Sequence, residues 1–442
     1  MLPILNVNVP MWLISPFFVL LICIALFPVL MPKNWHSLYK YISIGTGSMV
    51  ALFYIFQLNE YAQPIEALSE YVSFISLLVL LYVASGGMYL FIDVPSNAIS
   101  NVVFLLLAAI CSNIIGTTGA SILLIRPYMR LNRFRLQAYH VVFFIFIVSN
   151  MGGMLTPIAD PPLFIGFLKG IPFTWTLNNL FLIWLTGLGL CLLAFAYFDT
   201  KNKKYNDIVA EIEHTGKVFF QGKRNLIWLL LAVGSVFLDP AIFPNIPSIQ
   251  YHGKSVSFVR ELIQLGAAFV CYQTANRKAI ENNNFNFEPI VEVVFLFFGI
   301  FLSMMPLVEY LEQMAHQNGM QAELSTGLFF GFTGLFSSVL DNAPTYLSMF
   351  TLLMSANGYS VHSVQDVQLF LAGNQSILLA AISVAAVVFG AMTYIGNGPN
   401  LMVKSIAEQS GLKMPSFGAY ILRFSLPILL PIFAVIYLLF FR

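Results

Sequence analysis

Two carboxylates stand out in a chain that carries few charges: Asp160, within Thr156-Pro157-Ile158-Ala159-Asp160-Pro161-Pro162, and Asp341, within Asp341-Asn342-Ala343-Pro344-Thr345. Both lie inside long apolar runs, where an ionisable side chain is costly and by default points to function. A carboxylate in that setting binds a sodium ion when ionised and a proton when neutral, and burial favours the neutral form. This is the minimum equipment for exchanging one cation for the other. Neutral oxygens of the kind a dehydrated monovalent cation needs stand nearby. Ser112, Asn113, Thr117 and Thr118 precede Asp160, with Gly116 and Gly119 allowing close backbone approach, and Thr156 shares its motif. Asn342, Thr345, Thr393, Asn397 and Asn400 form the matching set around Asp341. Among these, Asn113, Asp160, Asn342 and Asn397 are the sodium-ligand candidates. A plainer reading stands beside this one: Asp341 caps the second arm of a hairpin, Asp160 caps a half-helix starting at Pro161, and the asparagines satisfy broken backbone.

Other polar residues carry less. Glu292 lies just inside an apolar run, Arg260 and Glu261 read as a local ion arrangement, and Asp93, just before Pro95, reads as a helix terminus. His36, His140, His214, His252, His316 and His362 fall at run ends or in loops and form no metal site, and the basic run from Arg126 to Arg135 reads as a topology signal. The four cysteines, Cys23, Cys111, Cys191 and Cys271, lie singly as small packing residues. No phosphate loop, nucleophile elbow or metal-ligand cluster is apparent, which argues against an enzyme and against transport driven by ATP within this chain.

The elements that must position these residues follow from composition. Of 442 residues, 58% are hydrophobic and 9% charged, against about 25% charged in a soluble domain, so the solvent for most of the surface is lipid. The net charge of +1 gives no field for nucleic acid. Apolar runs predict spans near 11 to 31, 37 to 57, 71 to 92, 138 to 169 with a break, and 177 to 198. After a polar linker at 200 to 224 come spans near 225 to 241, 255 to 273, 288 to 311, 369 to 408 with a break, and 418 to 441. The stretch from Trp12 to Met31 lacks a basic leader and a small-residue cleavage site, so it reads as the first span.

Two more apolar stretches, about 98 to 125 and 322 to 354, are interrupted at their centres and predict hairpins that enter and leave on one side, because freed backbone at membrane depth must face protein or a wet cavity. With the N-terminus outside and hairpins adding no crossing, 17 of the 21 lysines and arginines fall on the inner face. Thr156 to Pro162 aligns without gaps on Thr393-Tyr394-Ile395-Gly396-Asn397-Gly398-Pro399, and Ser112-Asn113 pairs with Asp341-Asn342. Five crossings per half then make residues 1–199 and 225–442 two inverted-topology repeats, an arrangement that places transport sites near the midplane.

Ser112-Asn113, Asp341-Asn342-Ala343-Pro344-Thr345 and Gly396-Asn397-Gly398-Pro399 resemble signatures of the ion transporter superfamily, which includes dicarboxylate, citrate and arsenite carriers and the NhaD type of sodium/proton antiporter. The resemblance covers nearly the whole chain. It implies an elevator-type movement against a scaffold and a homodimer. Dicarboxylate members use Ser-Asn-Thr at both hairpin tips, whereas these tips read Ser112-Asn113-Ile114 and Asp341-Asn342-Ala343. That departure favours the antiporter branch.

The expectation is therefore an all-α polytopic carrier of a bacterial inner membrane, with about ten spans, two hairpins and both termini outside. Its function is sodium or lithium exchange for protons, with a sodium- or proton-coupled citrate or dicarboxylate transporter as the alternative. Sodium and protons are coupling ions rather than cofactors, and the partners are membrane lipids and a small inorganic cation or organic anion.

Overall fold

The computed structural model describes residues 9–202, 216–238, 243, 245–251, 254–317, 325–373 and 375–442. His214, His252, Lys203, Lys204 and the centre of the expected linker lie outside the described residues.

The first half is helical from Ser15–Leu30 (α1) through Pro32–Phe56 (α2) and Ala62–Gly86 (α3) to Phe173–Thr200 (α8). Between them come Ala98–Ile115 (α4), Thr117–Leu131 (α5), Ala138–Ile147 (α6) and Pro161–Leu168 (α7). The second half runs through Asn225–Ser235 (α9), Val259–Thr274 (α10), Arg277–Asn282 (α11), Glu288–Ser303 (α12), Met305–Gln317 (α13), Thr326–Val339 (α14) and Asn342–Ala356 (α15). It ends with Val364–Ala372 (α16), Ser376–Phe389 (α17), Gly398–Gln409 (α18) and the continuous helical stretch Phe417–Phe440 (α19).

Among the described residues, five helices are long and apolar enough to cross a membrane: α3, α4, α8, Glu288–Leu311 and α19, or six with α16 and α17 taken as one bent span. Of the other spans expected from sequence, 37 to 57 falls on the continuous 25-residue α2, and the rest are built from shorter or interrupted pieces. Helix α6 stops after ten residues, α9 has 11 and α10 has 16.

Helix packing uses small residues where backbones must meet. On α2, a Cβ at Gly47 would lie 3.2 Å from Cα of Gly299 on α12, and a Cβ at Gly299 would lie 2.8 Å from the Ser43 carbonyl oxygen. This is the close approach that lipid-embedded helices use in place of a hydrophobic driving force.

The expected span 71 to 92 is displaced. Helix α3 starts at Ala62 and ends at Gly86, and Tyr89–Ile92 (β1) pairs antiparallel with Val218–Gln221 (β2), Tyr89 opposite Gln221 and Ile92 opposite Val218. A four-residue apolar run has no periodicity that tells strand from helix. The expected 200 to 224 linker thus contains β2 and ends in the approach to α9. Asp93 does not end a helix: its Oδ1 pairs with Arg133 at 3.2 Å, and its backbone N–H donates to the Lys217 carbonyl.

Helices α4 and α5 are the two arms of the first hairpin and extend to Leu131, beyond the expected 125. Asn97 opens α4 with a reciprocal cap, its side chain accepting from the Ser100 N–H at 2.8 Å while Ser100 Oγ accepts from the Asn97 N–H. At the far end of α5, Asn132 exchanges two 2.8 Å side-chain hydrogen bonds with Asn101 on α4. The arms therefore run antiparallel, with Gly116 at the tip. Its φ of 79° and ψ of 153° lie in a region only glycine adopts readily. Helices α14 and α15 pack as the second pair, over 326–356 against the expected 322 to 354.

The basic run, expected as a topology signal, also makes buried contacts. Arg135 is buried and pairs with Asp199 at 2.7 Å, and the same carboxylate accepts from Tyr139 at 2.6 Å and from Asn101 at 3.0 Å. His140, expected in a loop or at a run end, is fully buried on α6, 3.1 Å from Asp199. This cluster ties the base of the first hairpin to the end of α8. Arg260 and Glu261 form a buried pair at 2.8 Å, and Ser73 of α3 donates to the Glu261 carboxylate at 2.6 Å.

Candidate functional site

Four helices begin beside one carboxylate. Helix α5 starts at Thr117, α7 at Pro161, α15 at Asn342 and α18 at Gly398, each preceded by an interruption in an apolar run. Pro161 and Pro399 favour a helix start, since a first-turn residue needs no N–H partner. Asp160 stands at the N-cap position of α7 with extended backbone, φ −143° and ψ 141°, yet its side chain makes no capping hydrogen bond. It reaches across the breaks instead. Oδ1 accepts from Thr117 Oγ1 at 3.0 Å and from Asn397 Nδ2 at 3.3 Å, and Oδ2 accepts from Asn342 Nδ2 at 2.7 Å. Thr117, Asp160, Asn342 and Asn397 are all at most 2% exposed.

Asp341 behaves differently. It is half-buried, and its Oδ1 accepts from the Ala343 N–H at 3.0 Å, so it caps α15. The two carboxylates that looked alike in sequence are thus a cap at 341 and the centre of a polar cluster at 160.

The other predicted site residues hold backbone. Ser112 Oγ donates toward the Ala108 and Val148 carbonyls. Asn113 is committed on both sides, with Oδ1 accepting from the Leu155 N–H at 2.9 Å and Nδ2 donating to the Ala109 carbonyl at 3.2 Å. Thr156 Oγ1 donates to the Asn113 carbonyl at 2.6 Å, Thr345 Oγ1 to the Asp341 carbonyl at 3.1 Å and Thr393 Oγ1 to the Ser338 carbonyl at 2.7 Å. Asn113 stands apart from the other three sodium-ligand candidates, which meet directly.

These contacts come in like pairs. Ser112 and Ser337 each donate to a carbonyl of a broken-helix first half, Val148 and Ala386, and Thr156 and Thr393 each donate to the next hairpin residue, Asn113 and Ser338. Thr117 and Asn342 each begin a second arm and each donate to Asp160. By geometry Ser112-Asn113 therefore corresponds to Ser337-Ser338, about one helical turn from the pairing with Asp341-Asn342 read in sequence.

One contributor was missed. Asn150, fully buried in the break after α6, donates to Asn400 Oδ1 at 2.7 Å and to the Ile145 carbonyl at 2.8 Å, and its Oδ1 accepts from Asn397 at 3.2 Å. Asn400 in turn donates to the Gly390 and Thr393 carbonyls. The signal was present in Ser149-Asn150-Met151-Gly152-Gly153, a polar and glycine-rich interruption inside an apolar run.

A cavity of about 30 Å³ adjoins Asp160, lined by Gly116 to Gly119, Pro157 to Pro161, Phe164, and Phe74, Leu77 and Leu81 of α3. Its lining contains no lysine, arginine or histidine. It has room for an ion or one or two waters, not for a tricarboxylate. On the amide that donates to Asp160, Asn342 Oδ1 is buried with no hydrogen-bond partner.

Residues 6–441 match the family described as "Putative citrate transport". A comparison with curated proteins finds no match. A family match of that extent, on a helical membrane chain whose polar side chains gather where apolar helices break, leaves one assignment: the chain belongs to this citrate transport family of membrane transporters.

Proposed function

We propose that the chain is a sodium (or lithium)/proton antiporter in which Asp160 is the exchange group. The observation that carries this reading is the fully enclosed Asp160 carboxylate, bonded by Thr117, Asn342 and Asn397 and bordering a cavity with no basic residue. A buried charge without a counter-ion is strongly unfavourable, and either a proton or a monovalent cation restores neutrality. Competition between the two for one carboxylate is the chemistry of exchange. The buried, unpartnered Asn342 Oδ1 is a neutral oxygen available to the cation. Asp341 is a cap that also lies in the site region, and Thr345, Thr393, Ser112, Asn113 and Thr156 keep the breaks in shape.

In this reading the molecule is a homodimer in a bacterial inner membrane, with both termini outside and with the two hairpins re-entrant within inverted repeats. The paired hydroxyl-to-carbonyl contacts and the lysine and arginine asymmetry support that arrangement.

The family match and one structural feature favour a second reading, a sodium- or proton-coupled citrate carrier. Four helix N-termini converge at the site, and their partial positive charge suits a substrate carboxylate. Citrate would require the cavity to open.

Proteoliposomes holding a pH-sensitive dye separate the two. Sodium or lithium alone drives proton movement under the first reading, and Asp160→Asn abolishes it. Flux that needs citrate, with or without sodium, replaces the first reading with the second.

A further inference from the structure

Above Asp160, at the face the lysine and arginine count assigns to the outside, three separate segments meet in charge. Lys169 ends α7, nine residues after Asp160 and about 14 Å along the helix. Its ammonium, 5% exposed, lies 2.7 Å from Glu70 Oε1 and 3.4 Å from Glu66 Oε1, both on α3. His362, between α15 and α16, places Nδ1 3.0 Å from the same Glu66 oxygen. One helix of the first half is thereby joined to the broken helix and to the segment that follows the second hairpin.

The same four side chains line a second cavity of about 30 Å³, together with Met305 and Phe301 among others. Phe301 stacks on Phe74 at 6.1 Å, and Phe74 meets Phe164 at 6.0 Å. Phe74 and Phe164 in turn line the cavity at Asp160. Phe74, Phe164 and Phe301 therefore form one aromatic layer between the two cavities, and the ion cluster lines the second.

We propose that Lys169, Glu66, Glu70 and His362 form an ionic latch that holds the outer route to Asp160 shut, with Phe74, Phe164 and Phe301 as the seal beneath it. Lys169 moves with α7 and Glu66 and Glu70 with α3, so parting these helices opens the route and breaks the ion pairs together. Removing Lys169 leaves the Glu66 and Glu70 carboxylates uncompensated beside each other, and removing the Glu70 charge takes away the shorter of the two Lys169 contacts; both favour the parted state. The assignment of this face to the outside rests on the lysine and arginine asymmetry. The latch itself does not depend on which solute is carried.

The test is thiol accessibility in the full-length chain with Cys23, Cys111, Cys191 and Cys271 replaced by serine. Leu77→Cys reports the cavity at Asp160, and Leu188→Cys, buried in α8, reports general loosening. A membrane-impermeant maleimide is applied to right-side-out and inside-out vesicles. Lys169→Met and Glu70→Gln are each expected to speed labelling at 77 from the outer side about tenfold, the ratio given by about 1.4 kcal/mol, with labelling at 188 unchanged. The charge exchange Lys169→Glu with Glu70→Lys is expected to restore the slow rate. Equal rates at 77 in the parent and in both single variants overturn the proposal. So does acceleration at 188 as large as at 77, or faster labelling from the inner side only. No ion flux is measured, so failure of the antiport reading would leave this result standing, and the reverse also holds.

Discussion

At the scale of single residues, placement separates two carboxylates of similar sequence context. Asp341 spends an oxygen on the Ala343 N–H, whereas Asp160 gives none to its own helix and accepts from three side chains on three other elements. Asp160→Asn is expected to lower coupled cation flux by on the order of 100-fold, the equivalent of about 3 kcal/mol, with the protein still eluting as a single species from size exclusion. Flux within a few-fold of wild type would remove Asp160 from the exchange role. Asparagine is nearly as good a cap as aspartate, so Asp341→Asn should leave the unfolding midpoint almost unchanged. Asp341→Ala should cost about 1 kcal/mol in the same thermal measurement.

At the scale of elements, the site depends on where helices stop. Gly116 turns the first hairpin with a backbone conformation that carries a strain of roughly 1–3 kcal/mol for other residues. A Cβ there would also sit 3.4 Å from the Ile158 carbonyl oxygen, in the loop that holds Asp160. Gly116→Ala is expected to lower thermal stability by that amount and to reduce flux more than stability alone explains, because Thr117 is the next residue. Asn132→Ala at the hairpin base removes the reciprocal pair with Asn101 and leaves a buried amide short of a partner. A loss of about 1–3 kcal/mol should appear in the unfolding midpoint. The close contact of α2 with α12 makes a third check: Gly299→Leu forces atoms into the 2.8 Å approach to the Ser43 carbonyl and should destabilise by about 1–3 kcal/mol or more.

At the scale of the whole molecule, sequence by itself determined the class. A chain with 9% charged residues and repeated apolar runs belongs in lipid, and in lipid backbone satisfaction leaves helices as the spanning element for runs of this length. The breaks were equally legible, because Gly, Pro and Asn inside an apolar run interrupt the helix and free backbone groups that lipid cannot satisfy. Thr117, Asp160, Asn342 and Asn397, which meet in the structure, all lie at such breaks. The strand at Tyr89–Ile92 was not, since four apolar residues have no readable period and its partner lies more than 120 positions away in the chain. Nor was the role of Asn150, one amide among several until the second half of the chain supplies Asn397 and Asn400. Local pattern places polar groups at membrane depth, but which of them meet depends on packing between segments far apart in sequence. Tertiary structure alone decided that Asp341 caps its own helix, that Asn113 holds its own backbone, and that Asp160 takes one hydrogen bond from the first half and two from the second. The physical reason is that a buried carboxylate must find donors wherever the fold brings them, and those donors are fixed by contacts that no local spacing records.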